Sequence, residues 1–231
     1  EKGLHTYVKC NPTLLGYETT RSVLDRLGFD YIRFDDHHFL ADLQFADALP
    51  LLTDLRARAE QAGREFGVKL SNTLPVNIDR EQLPGGEMYL SGRALFPLTV
   101  LLAARLSAAF AGGLPISFSG GVDLHNAAAL ARAGLRPLTL ATALLKPGGY
   151  QRLTQLAQAL ARVKILPKTD TAALERLAEA VFTDAYYHKP LKPRAEQRIP
   201  GPPPLFGCFA APCRQACPLK QDVPAYLAAL A

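Results

Sequence analysis

Short apolar runs rich in β-branched residues alternate along this chain with longer amphipathic stretches. The apolar runs cover residues 6–10, 31–34, 66–70, 115–118 and 138–140. The amphipathic stretches cover residues 17–27, 45–63, 94–110, 123–133 and 150–163. This alternation predicts an α/β fold in which parallel strands are joined by right-handed helical crossovers.

The loops after the predicted strands favour a barrel over the alternative, an open doubly wound sheet. Polar and glycine-rich residues follow the strand ends at 9–16, 69–72, 119–121 and 142–149, and TIM barrels assemble their active sites on that face. The first of these loops lacks the G-x-G-x-x-G pattern of an open nucleotide-binding sheet. Because five βα units are too few for an eight-stranded barrel, we predict the C-terminal part of a TIM barrel.

Three of the four cysteines, Cys208, Cys213 and Cys217, lie close together near the C-terminus. Such spacing, with a proline directly after the last cysteine, is typical of loops that bind [4Fe–4S] clusters. A complete cluster takes four ligands, so we expect this chain to be a fragment of a longer polypeptide, inactive by itself. The absence of an initiator methionine agrees with that expectation. The alternative is structural zinc in a module without enzymatic activity.

These patterns divide the chain into four predicted regions. The partial barrel covers residues 1–165, and an additional helix lies within 166–185. A linker rich in proline and basic residues covers 186–206, where the run 200–204 sustains neither helix nor sheet. The beginning of a helical iron–sulfur domain covers 207–231.

Charge and hydropathy exclude several other classes of protein. The net charge is +5, but the basic residues do not form a run with interleaved aromatics, so we expect no nucleic-acid partner. We find no apolar run of about 18 residues, the length that would suggest a membrane span. No secretory leader opens the sequence. These features predict a cytoplasmic protein without a membrane span.

Two neighbouring strand ends predict an anion site. Ser119, Gly120 and Gly121 end one predicted strand and lead into a helix, where backbone N–H groups can approach an anion. The next predicted strand ends at Ala141 and Thr142. Barrels often hold a phosphate between the loops that follow their last two strands, so we predict a phosphate at this position.

Lys9 and Lys69 each lie in an apolar strand just before a polar turn. A lysine in that position requires a partner if it is buried. At a barrel mouth it would donate to an anionic or electron-rich ring atom, and its charge would stabilise a reduced flavin. Asn72 and Thr73 follow Lys69 and offer donor and acceptor groups that can bind a planar heterocycle.

The run 35–38, Asp-Asp-His-His, has the composition of a metal site. Adjacent residues of a strand point to opposite faces, and we find no further ligand at suitable spacing, so the sequence disfavours catalytic zinc here. We expect these residues to supply hydrogen bonds to the site, or carboxylates that pair with the lysines. His5, His125 and His188 are interpreted as structural or exposed.

Five segments in the same order carry a resemblance to a known family. They are residues 8–16, 66–73, 88–97, 116–121 and 141–149. On these segments the chain resembles the flavin-dependent dihydroorotate and dihydropyrimidine dehydrogenase superfamily. Within it, the chain looks most like the large iron–sulfur oxidoreductases known as selenate reductase subunits.

The resemblance implies a flavin mononucleotide (FMN) on the C-terminal face of the barrel. Lys9 would lie near the pyrimidine edge of the flavin, and Asn72 with Thr73 would belong to the flavin or substrate pocket. Ser91 and Gly92 resemble the turn under the ring. The residues that would cradle the phosphate are Gly120, Gly121, Ala141 and Thr142.

The tail resembles the cysteine-rich N-terminal module of glutamate synthase small subunits. That resemblance implies one cluster shared by Cys208 and Cys213 and a second cluster reached by Cys217. It also implies FAD and NAD(P) as cofactors of further domains. The expected partners are the remaining domains of the same polypeptide, other redox subunits and a small-molecule substrate.

The sequence identifies no catalytic acid or base. It also leaves a rival enzyme open, a flavin-free aldolase or isomerase that binds a sugar phosphate at the same loops. Such an enzyme would use Lys9 or Lys69 as a Schiff-base amine.

Overall fold

The computed structural model describes residues 3–79, 84–164, 166–190, 217–219, 221–222, 225 and 229. The chain divides into two compact units, Glu1–Lys189 and Pro190–Ala231. In the second unit, Cys217 is half-buried. Cys208 and Cys213 lie outside the described residues, so the predicted iron–sulfur site stays a prediction.

A parallel sheet forms the centre of the first unit. The strands along the chain are β1 (Thr6–Cys10), β2 (Phe66–Leu70), β3 (Leu74–Asn77), β4 (Glu87–Leu90) and β5 (Ile116–Phe118). Strands β1, β2 and β5 pair in parallel in that order, and Leu138 adds a parallel bridge beside Phe118. Strand β2 is central and buried except at the half-buried Lys69, which explains why its other side chains are apolar.

Helices follow the strands, as the α/β pattern predicts. They are α1 (Tyr17–Arg26), α2 (His37–Ala41), α3 (Phe45–Gln61), α4 (Phe96–Ala109), α5 (Ala127–Arg132), α6 (Thr142–Leu145), α7 (Gln151–Leu160) and α8 (Thr171–Ala180). Each predicted amphipathic stretch contains one of these helices, and α8 lies in the predicted additional region. The α/β prediction is therefore confirmed, although α2 and α6 are helices that the sequence pattern did not indicate.

Helix α4 lies in the core, where α8 packs against it. Leu98 and Leu106 are fully buried, and burial of each leucine contributes about 1.5–3 kcal/mol. The segment Gly92–Ala109 is long and apolar enough to cross a membrane, but 67% of it is buried inside the protein, as in a core helix. The sequence shows no uninterrupted apolar run of this length, because Arg93 and Arg105 lie within the segment.

The run 31–34 is not a strand, contrary to the prediction. The Arg21 guanidinium donates to the Ile32 carbonyl, and the Asn77 backbone N–H donates to the Arg33 carbonyl at 2.8 Å. Separate hydrogen bonds, and not a strand ladder, therefore satisfy these backbone groups. Phe34 is buried against the ring of Tyr17, with a centroid separation of 5.3 Å. The apolar, aromatic composition of this run therefore indicates that its side chains are buried, and does not indicate that its backbone pairs in a sheet.

The run 138–140 contributes only the bridge at Leu138. Pro137, directly before it, has no backbone N–H to donate to the sheet. The connection to β5 is made instead by the Pro137 carbonyl, which accepts from the Phe118 N–H at 3.0 Å, and by the Thr139 N–H, which donates to the Phe118 carbonyl at 2.8 Å.

Strands β3 and β4 form an antiparallel hairpin that the sequence analysis did not predict. Asn77 pairs with Glu87 and Leu74 pairs with Leu90. The hairpin connects β2 to the turn at Ser91 and Gly92. It therefore determines where that turn lies relative to the parallel strands.

Residues 186–189, which were predicted to begin the linker, are part of the first unit. Tyr187 is buried, and its ring stacks on Phe96 with centroids 4.8 Å apart. The Lys189 backbone N–H donates to the Leu27 carbonyl at 2.8 Å. Residues 191–206 of the predicted linker lie outside the described residues.

Candidate functional site

A cavity of about 600 Å³ lies at the carboxyl ends of the parallel strands. Its volume falls within the range of roughly 300–1,000 Å³ that small-molecule sites occupy. Its wall contains every predicted cofactor-binding residue except Gly120, namely Lys9, Lys69, Asn72, Thr73, Ser91, Gly92, Ser119, Gly121, Ala141 and Thr142. The structure thus gathers residues from distant parts of the sequence around one space, while their role in binding stays a prediction.

Three loops of the cavity wall touch through glycines. A Cβ atom on Gly121, where φ is +74°, would lie 2.3 Å from the Gly92 carbonyl oxygen. A Cβ atom on Gly92 would lie 2.9 Å from Cγ2 of Thr142, and one on Gly120 would lie 2.0 Å from Oγ1 of Thr99. A side chain would force these loops apart, so the sequence keeps glycine where they meet. We call Gly92, Gly120, Gly121 and Thr142 the glycine junction.

Lys9 and Lys69 are register partners on the neighbouring strands β1 and β2, and both line the cavity. Neighbouring strands lie about 4.8 Å apart, so the two side chains leave the sheet close together. Within the described part of the chain, neither ammonium group has a hydrogen bond or an ion pair. Asp35 instead accepts from Asn77 Nδ2 at 3.2 Å, and the alternative that Asp35 or Asp36 pairs with these lysines is wrong.

Three further cations line the cavity, Arg93, Lys146 and Arg152. The Nε atom of Arg152 is buried and has no hydrogen-bond partner among the described residues, while its Nη2 donates to the Pro147 carbonyl at 2.7 Å. A buried donor without a partner is costly, so a ligand acceptor would stabilise this arginine. Asp123 is the sole carboxylate among the described lining residues, and the cavity therefore favours an anion.

A chain of amide and carboxylate groups orients Asn72. Its Nδ2 donates to Oδ1 of Asn11, whose own Nδ2 donates to Asp42 at 2.8 Å. The same Asp42 oxygen accepts from the Thr13 hydroxyl at 2.6 Å. Because both donors come from the loop after β1, the Asp42 carboxylate ties this loop to the end of α2 and fixes the amide that faces the cavity.

Protonatable groups occupy one side of the cavity. The Tyr186 hydroxyl donates to Asp123, and burial together with this hydrogen bond raises the pKa of Tyr186 to about 12. His125, which stacks on the Tyr186 ring at 4.1 Å, lies 2.7 Å from an Asp184 oxygen. That hydrogen bond lowers the pKa of the Asp184 carboxyl. His125 is exposed, as predicted, but it also lines the cavity.

His37 and His38 begin helix α2 rather than ending a strand, and Glu87 of β4 reaches both of them. His38 Nε2 lies 2.8 Å and His37 Nε2 lies 3.6 Å from Glu87 Oε1. Sequence spacing gave no sign of this third residue, because Glu87 lies 49 positions from His38. These three residues do not occur among the described residues that line the cavity.

The predicted set lacks several polar and charged residues of the cavity wall, among them Arg93, Asp123, His125, Lys146, Arg152 and Tyr186. Arg93 directly follows the predicted Ser91–Gly92 turn, and this position in the sequence was the one indication that it belongs to the site. Tyr186 belongs to the predicted linker, and no motif in the adjacent sequence indicates that this segment packs against the cavity.

Parallel strands with a cavity at their carboxyl ends place this chain in the α/β class, whose members bind ligands at that edge of the sheet. A family model described as "Oxidoreductase YgfK, N-terminal TIM-barrel domain" matches residues 1–189, and the chain belongs to this family. The TIM-barrel prediction is thereby confirmed, and the family carries the name of an oxidoreductase.

Two curated relatives carry the name "Putative oxidoreductase YgfK", one from Escherichia coli K12 and one from Escherichia coli O157:H7. Each is 46% identical to this chain over 229 residues, which is 98% of the chain and 22% of the relative. The chain thus spans about a fifth of the length of the relatives that it matches.

Proposed function

We propose that the cavity binds FMN and that the chain belongs to an oxidoreductase that passes electrons between this flavin and [4Fe–4S] clusters. The observation that carries the proposal is that Gly92, Gly121 and Thr142 of the glycine junction and five cationic side chains converge on one cavity. A phosphorylated planar ligand uses both features. A neutral ligand would leave the cations without a counter-charge.

The glycine junction would hold the phosphate. Loops that meet without side chains expose backbone N–H groups to an anion. Arg152 supports this assignment because its buried Nε atom needs an acceptor. Arginine also binds phosphate oxygens with more than one N–H group.

The lysines would hold the ring. Lys9 and Lys69 present two ammonium groups on one face of the sheet, and neither has a partner within the described part of the chain. Positive charge there stabilises a reduced flavin. The Asn72 amide, oriented through Asn11, offers directional hydrogen bonds to a heterocycle edge. When bound, FMN supplies the one- and two-electron redox chemistry that these side chains do not provide.

The iron–sulfur part of the proposal rests on the spacing of Cys208, Cys213 and Cys217. Thiolates at such spacing bind [4Fe–4S] clusters. Ligands beyond this set would come from a longer polypeptide, as the relatives have about five times the length matched here. The likeness to selenate reductase subunits does not identify the substrate, since pocket residues rather than fold determine specificity.

A fluorescence titration with FMN tests the flavin site. In Lys69→Met the charged contact is lost, and the affinity should fall about tenfold, the effect of removing one hydrogen bond to a charged group. Lys164→Met is the matched control, because Lys164 is exposed and does not line the cavity. Equal loss in both variants, or no FMN binding by the unmodified chain, would contradict the proposal.

Anaerobic reconstitution with iron and sulfide tests the cluster site. We expect acid-labile sulfide to be bound by the chain and to decrease in Cys217→Ser. Binding of zinc with neither iron nor sulfide would instead support the structural-zinc alternative.

A further inference from the structure

We propose that His37, His38 and Glu87 form a binding site for a divalent transition-metal ion of the zinc class. The ligand atoms of the three side chains all lie within 4.8 Å of one another. The site is separate from the FMN cavity and does not depend on the proposed flavin.

The geometry matches a tetrahedral ion with one open position. Metal–nitrogen and metal–oxygen distances of about 2.0–2.2 Å place tetrahedral ligand atoms roughly 3.4 Å apart. The two histidine nitrogens lie 2.8 Å and 3.6 Å from Glu87 Oε1. Small side-chain rotations would bring both separations to the required value. These rotations are available because the side chains of His37, His38 and Glu87 are 56%, 34% and 37% exposed.

The fold brings this donor set together from two elements. His37 and His38 lie in the first turn of α2, and their rings are 3.8 Å apart. Glu87 begins strand β4, where its pairing with Asn77 fixes its position in the hairpin. The site therefore needs only side-chain adjustment to accept an ion, and not a rearrangement of the backbone.

The chemistry of the ligands selects the ion. Two imidazoles this close would repel each other if both were protonated, whereas a metal binds both in the neutral form. Two nitrogens and one carboxylate oxygen, with a water in the fourth position, are a ligand set of catalytic zinc sites. Mg²⁺ and Ca²⁺ prefer oxygen ligands throughout and should not compete.

The test is a calorimetric titration of the chain with ZnCl₂, repeated with MgCl₂. Because thiolates also bind zinc, every protein in the series carries serine at the positions of Cys208, Cys213 and Cys217. The ring nitrogen signals of His37 and His38 are followed by NMR in the same titration. We expect Zn²⁺ but not Mg²⁺ to bind and to shift these signals.

Three variants make the result specific. Removing a ligand, as in His38→Ala or Glu87→Gln, should weaken Zn²⁺ binding by at least the roughly 10- to 100-fold that loss of an outer-shell partner costs. His5→Ala is the control, because His5 is exposed and is not in the cluster. Thermal unfolding in EDTA checks that all variants fold. Absence of Zn²⁺ binding, or equal affinity in the two ligand variants and the control, overturns the proposal.

Discussion

The glycine junction predicts a large and separable effect of adding a single methyl group. In Gly121→Ala the new Cβ atom would lie 2.3 Å from the Gly92 carbonyl oxygen and 3.0 Å from Cβ of Phe96. The first of these neighbours is backbone, so no side-chain rotation relieves the contact. Overpacking of this kind costs about 1–3 kcal/mol. The positive φ adds about 1–2 kcal/mol, so we expect a loss of about 2–5 kcal/mol in the free energy of unfolding.

Two matched variants separate the cost of overpacking from the cost of the positive φ. Gly63 has a φ of +65°, and no atom lies within 4 Å of the position that a Cβ atom would take there. Gly63→Ala should therefore show only the conformational cost of about 1–2 kcal/mol. Gly86 has open space and no positive φ, so Gly86→Ala should be close to neutral.

Urea unfolding followed by circular dichroism measures all three variants. With an m-value of about 3 kcal/mol/M, a loss of about 3 kcal/mol lowers the midpoint by about 1 M. If Gly121→Ala and Gly63→Ala lose the same stability, the loops do not touch as described, and the reasoning about the junction is refuted.

Three further predictions concern stability and pH. Leu106→Ala should cost about 2–5 kcal/mol because the side chain is fully buried, whereas Leu145→Ala, at 87% exposure, should change the unfolding midpoint little. Burial raises the pKa of Cys10 from 9.0 to about 11. Its protonated thiol should therefore favour the folded state below pH 9 and lose this contribution as the pH rises through 11. Peptide mapping after iodoacetamide treatment at pH 8 should show slow labelling of Cys10 in the folded chain, and fast labelling would contradict its burial. Asp42→Ala removes the acceptor of two side-chain hydrogen bonds and should lower stability by about 1–3 kcal/mol in the same urea assay; an unchanged midpoint would show that this carboxylate does not hold the loop after β1.

Local patterns predict the part of the fold that lies in the parallel sheet. Strands β1 and β2 are short apolar runs, and glycine follows the helices between them, as Gly28 after α1 and Gly63 after α3. Lys9, Lys69 and Gly121 reach one cavity because the carboxyl ends of parallel strands meet at one edge, a rule that needs no tertiary information. The run 31–34 is likewise apolar and aromatic but packs as an irregular segment, in which the Arg21 side chain and the Asn77 backbone each donate to one carbonyl oxygen.

Residues that enter the sites from distant segments could not be predicted. Glu87 meets His38 across 49 positions of sequence, and Tyr186 meets Asp123 across 63. Such contacts depend on how the β3–β4 hairpin and the segment after α8 pack against the rest of the first unit. The periodicity of apolar residues does not indicate this packing. Arg152 lies in an amphipathic helix, where a basic residue is normally exposed to solvent.

The central claim is that the cavity recognises a phosphorylated flavin. The most direct measurement compares the dissociation constants of FMN and riboflavin for the same chain, since the two ligands share the ring and differ by the phosphate. Riboflavin should bind at least about tenfold more weakly, because it lacks the charged group that the glycine junction and Arg152 would hold. Equal affinities, or binding of neither flavin, would contradict it.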